Sequence, residues 1–169
     1  ATGDDRLLRT APLRSLGDMP LVLFKKIIDD IDAFLPKKIK RVQLYKDGEP
    51  LLHPNIIEMI SYAKASGAIG EVDLTSNGSL IDDNMADALV GSGLDSIRIS
   101  FEGSVNNEKT KKLTLTNYTY EDIKAALYRL AEAKRKHRSD VPYIQAKIID
   151  TGLTEQDKQK FSNDFYSVA

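Results

Sequence analysis

Helical and strand patterns alternate regularly along this 169-residue chain. Apolar residues at helical spacing give way to a short strand-like run, and the same order recurs along the sequence. The predicted helices carry apolar stripes that include Phe24, Ile56, Met85, Ile123 and Phe161. The predicted strands cover residues 41–45, 72–75, 97–102 and 143–149. We therefore predict five helices that alternate with four strands.

Connections of this length predict parallel strands joined by right-handed crossovers. A complete eight-unit barrel needs about 250 residues, so this length corresponds to part of one. No strand pattern precedes the first helix or follows the last one. We predict an α/β fold, a partial (β/α) barrel that lacks its first strand and its closing strand. No linker, internal repeat or low-complexity tract divides the sequence, so we predict a single domain over residues 1–169.

Charge and hydropathy narrow the classes of partner. The chain has 24 Lys and Arg and 25 Asp and Glu, a formal net charge of −1, and thus no global positive field for nucleic acid or anionic lipid. No apolar run approaches the ~18 residues that a membrane span needs, and charges near the start disfavour a signal peptide. The basic run Lys134–Arg138 closes the longest predicted helix, where cations complement the helix dipole. We expect a cytoplasmic protein without membrane or nucleic-acid partners.

Cysteine and histidine usage limits the chemistry of these residues. The sequence has no cysteine and two histidines, His53 and His137. Thiolate nucleophiles, disulfides, cysteine-based zinc sites and iron–sulfur clusters held by these residues are therefore excluded. The histidines match no recognised metal-binding spacing, so we predict no metal site built from this chain. His53 precedes Pro54 and is interpreted as a helix-entry residue rather than a catalyst.

Polar segments that contain glycine follow each predicted strand. They cover residues 46–54, 75–80, 100–103 and 150–152. Each one alone has the composition of an ordinary turn. Ligands of α/β folds bind at the carboxyl ends of parallel strands, so we expect the four segments to meet on one rim and form a ligand site.

In order along the chain, these segments resemble those of the radical S-adenosylmethionine (SAM) enzyme family, and the resemblance covers essentially the whole chain. The most specific part is residues 48–54, Gly-Glu-Pro-Leu-Leu-His-Pro. It is similar to the family's Gly-Gly-Glu-Pro stretch, with Asp47, a further candidate contact, at the first glycine position. In the family this stretch contacts the amino group of SAM, largely through backbone carbonyls. The resemblance implies SAM contacts at Gly48, Glu49 and Pro50, with Glu49 accepting directly or holding the loop.

Two later segments extend the resemblance. Residues 75–78 are similar to the family's Thr-Asn-Gly stretch after its third strand. Residues 97–103 are similar to its fourth strand, whose serine and acidic residue reach the ribose or the carboxylate of SAM. The resemblance implies SAM contacts at Ser76, Asn77, Ser100 and Glu102.

Strand alternation adds candidates on the same surface. It places Arg98, Ser100 and Glu102 on one face of a strand, and a polar face inside a barrel favours a functional role. An ordinary ion pair between Arg98 and Glu102 at a sheet edge is the alternative. The family's fifth strand corresponds to residues 143–149. There the resemblance implies cofactor or substrate contacts at Gln145 and Lys147, and Ile148 beside adenine.

The sequence departs from the family at the iron–sulfur cluster. The family binds a [4Fe-4S] cluster through three cysteines after its first strand, and SAM chelates the remaining iron. No residue of this chain can take that role. Residues 2–5, Thr-Gly-Asp-Asp, are similar to the end of that loop, which predicts a chain that begins just downstream of the cysteines.

The resemblance implies an enzyme that cleaves SAM reductively to a 5′-deoxyadenosyl radical, which abstracts hydrogen from a substrate. It also implies an electron donor for the cluster, and the chain alone is expected to be inactive. The catalytic residues and the substrate are not identified by the sequence. The alternative is a cluster-less, non-catalytic α/β binding module of the same fold. The segment from Gly103 to Tyr118 exceeds the usual connection of about 6 residues, and we interpret it as a substrate lid or a mobile loop.

Overall fold

The computed structural model describes residues 17–34, 37–46 and 48–166. In these ranges the helices are α1 (Leu21–Phe34), α2 (Ile56–Ala65), α3 (Asp83–Gly91), α4 (Asn107–Thr114), α5 (Tyr120–His137) and α6 (Glu155–Phe165). The strands are β1 (Ile39–Gln43), β2 (Ile69–Ser76), β3 (Ser96–Phe101) and β4 (Tyr143–Ile148). A 3₁₀ turn covers Pro50–Leu52. No helix in this part of the chain is long and apolar enough to cross a membrane.

The described strands form one parallel sheet in the order β1-β2-β3-β4. In this register Asp73 pairs with Ser96, and Ser96 pairs in turn with Tyr143. Every connection between neighbouring strands contains at least one helix, which parallel pairing requires. The prediction of an α/β fold with parallel strands is confirmed.

The two faces of the sheet differ in character. On β3, Ile97, Ile99 and Phe101 are buried, whereas the alternating Ser96, Arg98 and Ser100 are partly exposed. The buried face packs against the apolar sides of the helices and forms a single hydrophobic core. The polar face is therefore the surface of the sheet on which side chains remain accessible to a ligand.

Local capping signals explain where two helices begin. Thr119 and Asp122 form a capping box at α5, and Thr154 and Asp157 form another at α6. Each box satisfies backbone N–H groups that have no partner in the first turn. The predicted starts of both helices are confirmed. At the other end of α5, Lys136 of the basic run contacts Asp87 of α3.

The segment from Gly103 to Tyr118 contains α4, so the prediction of five helices is wrong: the described residues form six. The sequence of α4, Asn-Glu-Lys-Thr-Lys-Lys-Leu-Thr, buries only Thr110 and has no apolar stripe at helical spacing. Its start is fixed locally, because the side chain of Asn106 accepts a hydrogen bond from the backbone N–H of Lys109 at 3.0 Å.

Candidate functional site

The Glu49 carboxylate connects the segment after β1 to the end of β2. Its Oε1 accepts hydrogen bonds from the backbone N–H of Leu51 at 3.1 Å and from the hydroxyl of Ser76 at 2.8 Å. Its Oε2 accepts one from the backbone N–H of Asn77 at 2.8 Å. Three donors from two neighbouring strand ends thus converge on one carboxylate, which holds the loop in place.

The predicted contact Ser76 lies on the packed face of the sheet. Its side chain is 2% exposed, and its hydroxyl donates to Glu49 while it accepts from the backbone N–H of Gly78 at 3.0 Å. The strand alternation that buries Leu74 also buries Ser76. Because its hydroxyl is engaged by Glu49 and Gly78, Ser76 positions the loop and the turn, and its contact with SAM stays a prediction.

Asn77 and Gly78 form a tight turn directly after β2. Asn77 is exposed, and its Oδ1 accepts from the backbone N–H of Ser79 at 2.8 Å. Gly78 has a φ of +78°, and a β-carbon there would lie 3.2 Å from a methyl group of Ile99. Glycine is thus needed both for the backbone conformation and for the close packing on β3.

A cavity of about 400 Å³ lies at the rim between the β2 turn, the end of β3 and the segment that contains α4. Three predicted contacts line it: Asn77, Ser100 and Glu102. The rest of its wall comprises Ser79, Leu80, Leu113, Thr114, Thr116, Tyr118 and Ile123. The Tyr118 hydroxyl donates to the backbone carbonyl of Ser79 and so joins this segment to the β2 turn. The sequence indicated the segment from Gly103 to Tyr118 as a lid or a loop, but it contained no local signal for α4, whose end supplies Leu113 and Thr114 to this wall.

Arg98 occupies the centre of the polar face. Its Nε donates to Oε1 of Gln145 at 3.1 Å, and its Nη1 lies 3.4 Å from the hydroxyls of Thr75 and Tyr45. β3 lies inside the sheet, and within the described ranges no ion pair joins Arg98 to Glu102. The alternative of an ordinary ion pair at a sheet edge is therefore wrong.

Asp73 lies beside this group and was not singled out in the sequence. It is 2% exposed, and its carboxylate accepts from Ser96 at 2.5 Å and from Gln43 at 3.3 Å. The alternation of Asp73 and Thr75 with the apolar residues of β2 is the signal that would have identified it. These contacts extend the polar network across β1, β2 and β3.

The predicted residues of β4 lie on two different faces. Lys147 is exposed and pairs in register with Ser100, so it shares the polar face with Arg98 and Gln145. Ile148 pairs with the buried Phe101 and packs against the core. Ile148 is partly buried at the end of β4, on the opposite face from Gln145 and Lys147, and its contact with a bound adenine stays a prediction.

Two other expectations concern the segment after β1: a cofactor contact at Asp47 and a helix-entry role for His53. Asp47 lies outside the described residues. Nδ1 of His53 accepts from the backbone N–H of Asn55 at 3.1 Å, and its Nε2 lies 3.0 Å from the carbonyl oxygen of Met19. Both ring nitrogens of His53 therefore contact the backbone, one just before α1 and one at the start of α2. This agrees with its interpretation as a helix-entry residue.

The marked pKa changes occur away from the rim, where α6 packs against α5. Burial raises the pKa of Asp164, but hydrogen bonds from Lys124, Lys160 and Tyr120 outweigh it and lower the pKa to about 2. Burial and the hydrogen bond to Asp164 raise the pKa of Tyr120. This cluster joins two helices and is not connected to the cavity.

The chain does not supply the donors that an iron–sulfur cluster requires. It contains no cysteine, and no group of three or more His, Cys, Asp or Glu side chains arranged for a metal occurs among the described residues. The rim, in contrast, offers backbone carbonyls, an amide, a hydroxyl and a carboxylate. Such groups recognise an ammonium, a ribose or another polar organic ligand.

Comparison with known proteins identifies the family. The model of the Radical SAM superfamily matches residues 8–148, which is most of the chain. The chain belongs to the radical SAM superfamily.

Two curated relatives match parts of the chain. GTP 3′,8-cyclase of Chlorobaculum tepidum is 41% identical over 86 residues, which cover 51% of this chain and 25% of that protein. The tungsten-containing aldehyde ferredoxin oxidoreductase cofactor-modifying protein of Pyrococcus furiosus is 30% identical over 138 residues, covering 80% of this chain and 36% of that protein. The chain thus spans about a quarter to a third of the length of these relatives.

Solved structures share the fold. Native anSMEcpe with bound AdoMet superimposes with a TM-score of 0.64 over 90% of this chain and 42% of that one, at 14% identity. Its complex with AdoMet and the Kp18Cys peptide gives 0.59 over 89% of this chain and 41% of that one, at 16% identity. The prediction of a partial barrel of the radical SAM type is confirmed.

Proposed function

We propose that this chain is the SAM-binding core of a radical SAM enzyme, with SAM bound at the rim after β1, β2 and β3. The observation that carries the proposal is the Glu49 carboxylate, which joins the loop after β1 to the turn after β2. This connection holds the backbone of Gly48 and Pro50 beside Asn77. Carbonyl oxygens held in this way are suitable acceptors for the ammonium of SAM.

The cavity beside the turn after β2 has the chemistry for the sugar of SAM. Glu102 and Ser100 line it, and a carboxylate with a neighbouring hydroxyl can accept and donate hydrogen bonds to a ribose diol. Asn77 supplies an amide at the same wall. We therefore assign the ribose to Ser100 and Glu102, and the methionine end to the loop that contains Gly48.

Together with a [4Fe-4S] cluster, SAM supplies the one-electron chemistry of this family, while the protein contributes binding and orientation. Because the chain has no thiolate, our proposal places the cluster ligands outside these 169 residues. The chain alone is then inactive, and the whole enzyme also needs an electron donor and a substrate. We propose a cytoplasmic reaction, since thiolate ligands stay reduced in that compartment.

The binding step is tested by NMR titration of the 15N-labelled chain with SAM. We expect the amide signals of Gly48, Asn77 and Gly103 to shift at millimolar SAM, while those of the Lys134–Arg138 run stay unchanged. A titration that leaves the rim amides unmoved would disprove the SAM site.

A pair of variants tests the assigned contacts. Glu102→Gln removes the carboxylate at the cavity, and Glu108→Gln removes an exposed carboxylate on α4. Loss of one charged hydrogen bond of about 1.5 kcal/mol weakens binding roughly tenfold, so we expect this loss of SAM affinity for Glu102→Gln. Glu108→Gln is expected to bind like the wild type, and equal affinities for all three proteins would contradict the assignment.

The second candidate function, a cluster-less binding module of the same fold, is favoured by the absence of cysteine. The protein encoded by the complete gene decides between the two after anaerobic cluster reconstitution and reduction. Formation of 5′-deoxyadenosine from SAM supports the enzyme. A protein that binds SAM at the rim but forms no 5′-deoxyadenosine supports the binding module.

A further inference from the structure

We infer that Arg98, assisted by Lys147, binds an oxyanion group of the substrate, a carboxylate or a phosphate, on the polar face of the sheet. The inference rests on the proposed function, because it assumes that SAM occupies the rim cavity beside this face. It adds a chemical class for a substrate that the sequence leaves unidentified.

The guanidinium of Arg98 is held in place by neutral groups. Gln145 of β4 accepts from Nε at 3.1 Å, and the hydroxyls of Thr75 and Tyr45 lie 3.4 Å from Nη1. These three residues come from three different parts of the sheet and fix the plane of the guanidinium. Amide and hydroxyl oxygens orient the cation but leave its charge unneutralised, which distinguishes Arg98 from an arginine in a structural ion pair.

The guanidinium also retains free donors. Arginine carries five N–H groups, and two of them are on Nη2. Nη2 makes no hydrogen bond to any residue in the described ranges. Every buried side-chain nitrogen in these ranges has a hydrogen-bond partner. Because Nη2 has none, it is not buried and is accessible to a ligand. Its N–H groups, with the weakly engaged Nη1, form the fork that binds a carboxylate or a phosphate.

A second cation lies on the same face. Lys147 pairs in register with Ser100, and Gln145 pairs with Arg98, so Lys147 is one step nearer the rim on the neighbouring strand. It is exposed and forms no ion pair within the part of the chain that the structure describes. Its flexible side chain can therefore approach an anion bound at Arg98.

The other charges of this face are arranged differently. At the far end of the strands, Arg41 is paired with Glu71 at 2.5 Å. The buried carboxylate of Asp73 is satisfied by Gln43 and Ser96. Glu102, on the same face of β3, lies beyond Ser100 at the rim cavity, and no ion pair in the described ranges joins it to Arg98. Arg98 and Lys147 are thus two cations without ion-pair partners among the described residues, and an anion between them would gain a charge-assisted contact with each.

The position of Arg98 favours the substrate over the cofactor as the source of this anion. Arg98 lies two residues before Ser100 on β3, which places it roughly 6.5 Å further from the rim along the strand. The methionine end of SAM is assigned to the loop that contains Gly48, next to β1. An oxyanion at Arg98 would therefore anchor a second molecule whose remaining part extends toward the rim cavity.

The test is an NMR titration of the 15N-labelled chain with inorganic pyrophosphate and with malonate, without SAM and with SAM in excess. We expect the Nε–Hε signal of Arg98 and the amide signal of Lys147 to shift with either anion, whether or not SAM is present. Arg98→Gln should weaken binding at least about tenfold, because a charge-assisted fork is lost. Arg135→Gln, at an exposed arginine paired with Glu132, is the matched control and should have no effect.

Three results would overturn the inference. Anions that shift only the basic run at the end of α5, or that bind Arg98→Gln as tightly as the wild type, exclude the site. Displacement of pyrophosphate from Arg98 by SAM would assign the site to the carboxylate of the cofactor. Arg98→Lys retains the charge without the fork and should also bind more weakly, so it replaces the glutamine variant if that protein does not fold. Failure of the proposed function itself is seen separately, as unmoved Gly48 and Asn77 signals on SAM addition.

Discussion

Glu49 and Ser76 are 27 residues apart in the chain, yet Oε1 of Glu49 lies 2.8 Å from the Ser76 hydroxyl. The contact joins the ends of two neighbouring parallel strands at the carboxyl-terminal edge of the sheet. Because Ser76 also accepts from the backbone N–H of Gly78, the carboxylate fixes the turn after β2 through this hydroxyl. The loop of Gly48 and the turn of Asn77 are thereby held as one unit.

Glu49→Gln is expected to lower the free energy of unfolding by about 1–3 kcal/mol. The three donors around Glu49 use both carboxylate oxygens, whereas the amide of glutamine has a single acceptor oxygen. Urea unfolding measures this loss. Glu58→Gln serves as the control, because Glu58 pairs with Lys25 at an exposed position and should change stability by less than about 1 kcal/mol. Equal losses for the two variants would show that the Glu49 contacts have no special role.

A double-mutant cycle of Glu49→Gln and Ser76→Ala tests the direct contact. We expect the two losses to be non-additive by about 1 kcal/mol, as is usual for side chains that share a hydrogen bond. Additive effects would mean that each residue acts through other neighbours.

Gly103→Ala is expected to destabilise the rim much more than Gly152→Ala. Both glycines have a positive φ, which costs an L-residue about 1 kcal/mol. A β-carbon at Gly103 would also lie 2.3 Å from Oγ1 of Thr151 and 3.1 Å from the carbonyl oxygen of Ile149, whereas none of the surrounding atoms lies within 4 Å of one at Gly152. Thermal unfolding of the two variants measures the difference, and similar melting temperatures would contradict this packing.

Acid is expected to remove the stabilisation that Asp164 provides. Although burial acts in the opposite direction, hydrogen bonds from Lys124, Lys160 and Tyr120 lower its pKa from the reference value of 3.8 to about 2. Because the pKa of Asp164 is lower in the folded protein than in the unfolded chain, the ionised carboxylate stabilises the fold at pH values above the unfolded-state pKa. This contribution, about 2 kcal/mol, is lost as the pH falls from 4 to 2.

The measurement compares the unfolding free energies of the wild type and Asp164→Asn at several pH values. The wild type should be more stable at pH 7, and the difference should shrink below about pH 4. Asp140→Asn, at an exposed carboxylate, is the control and should remove none of this acid sensitivity. A difference that is independent of pH would show that Asp164 acts through packing alone.

Local patterns were sufficient to predict much of the fold. The alternation of Ile97, Ile99 and Phe101 with polar residues identified β3 and its two faces, and the boxes at Thr119 and Thr154 identified two helix starts. The helix α4 was missed because Leu113 is its one apolar residue, which gives no helical pattern, so its position depends on Asn106 and on contacts with the rest of the fold.

The sequence predicted which segments form the candidate site but not the contacts of each side chain. Motifs indicate which segments meet at the rim, but they do not show which way each side chain points. Ser76 and Ile148 both match family positions, yet strand alternation turns them toward the core. Tyr45 and Thr75, which help to hold Arg98, belong to no motif, because their role depends on contacts between strands that are distant in the sequence.

The order of the strands in the sheet has a consequence for synthesis on the ribosome. Because β1, β2, β3 and β4 are neighbours in the order in which they are translated, each new strand can be added to the free edge left by the one before it. None of these four strands has to be inserted between two that are already paired. The last addition closes the longest loop, since Ser96 pairs with Tyr143 across both α4 and α5. We therefore expect the docking of β4 to be the slowest step of co-translational assembly, because the entropy cost of loop closure rises with loop length.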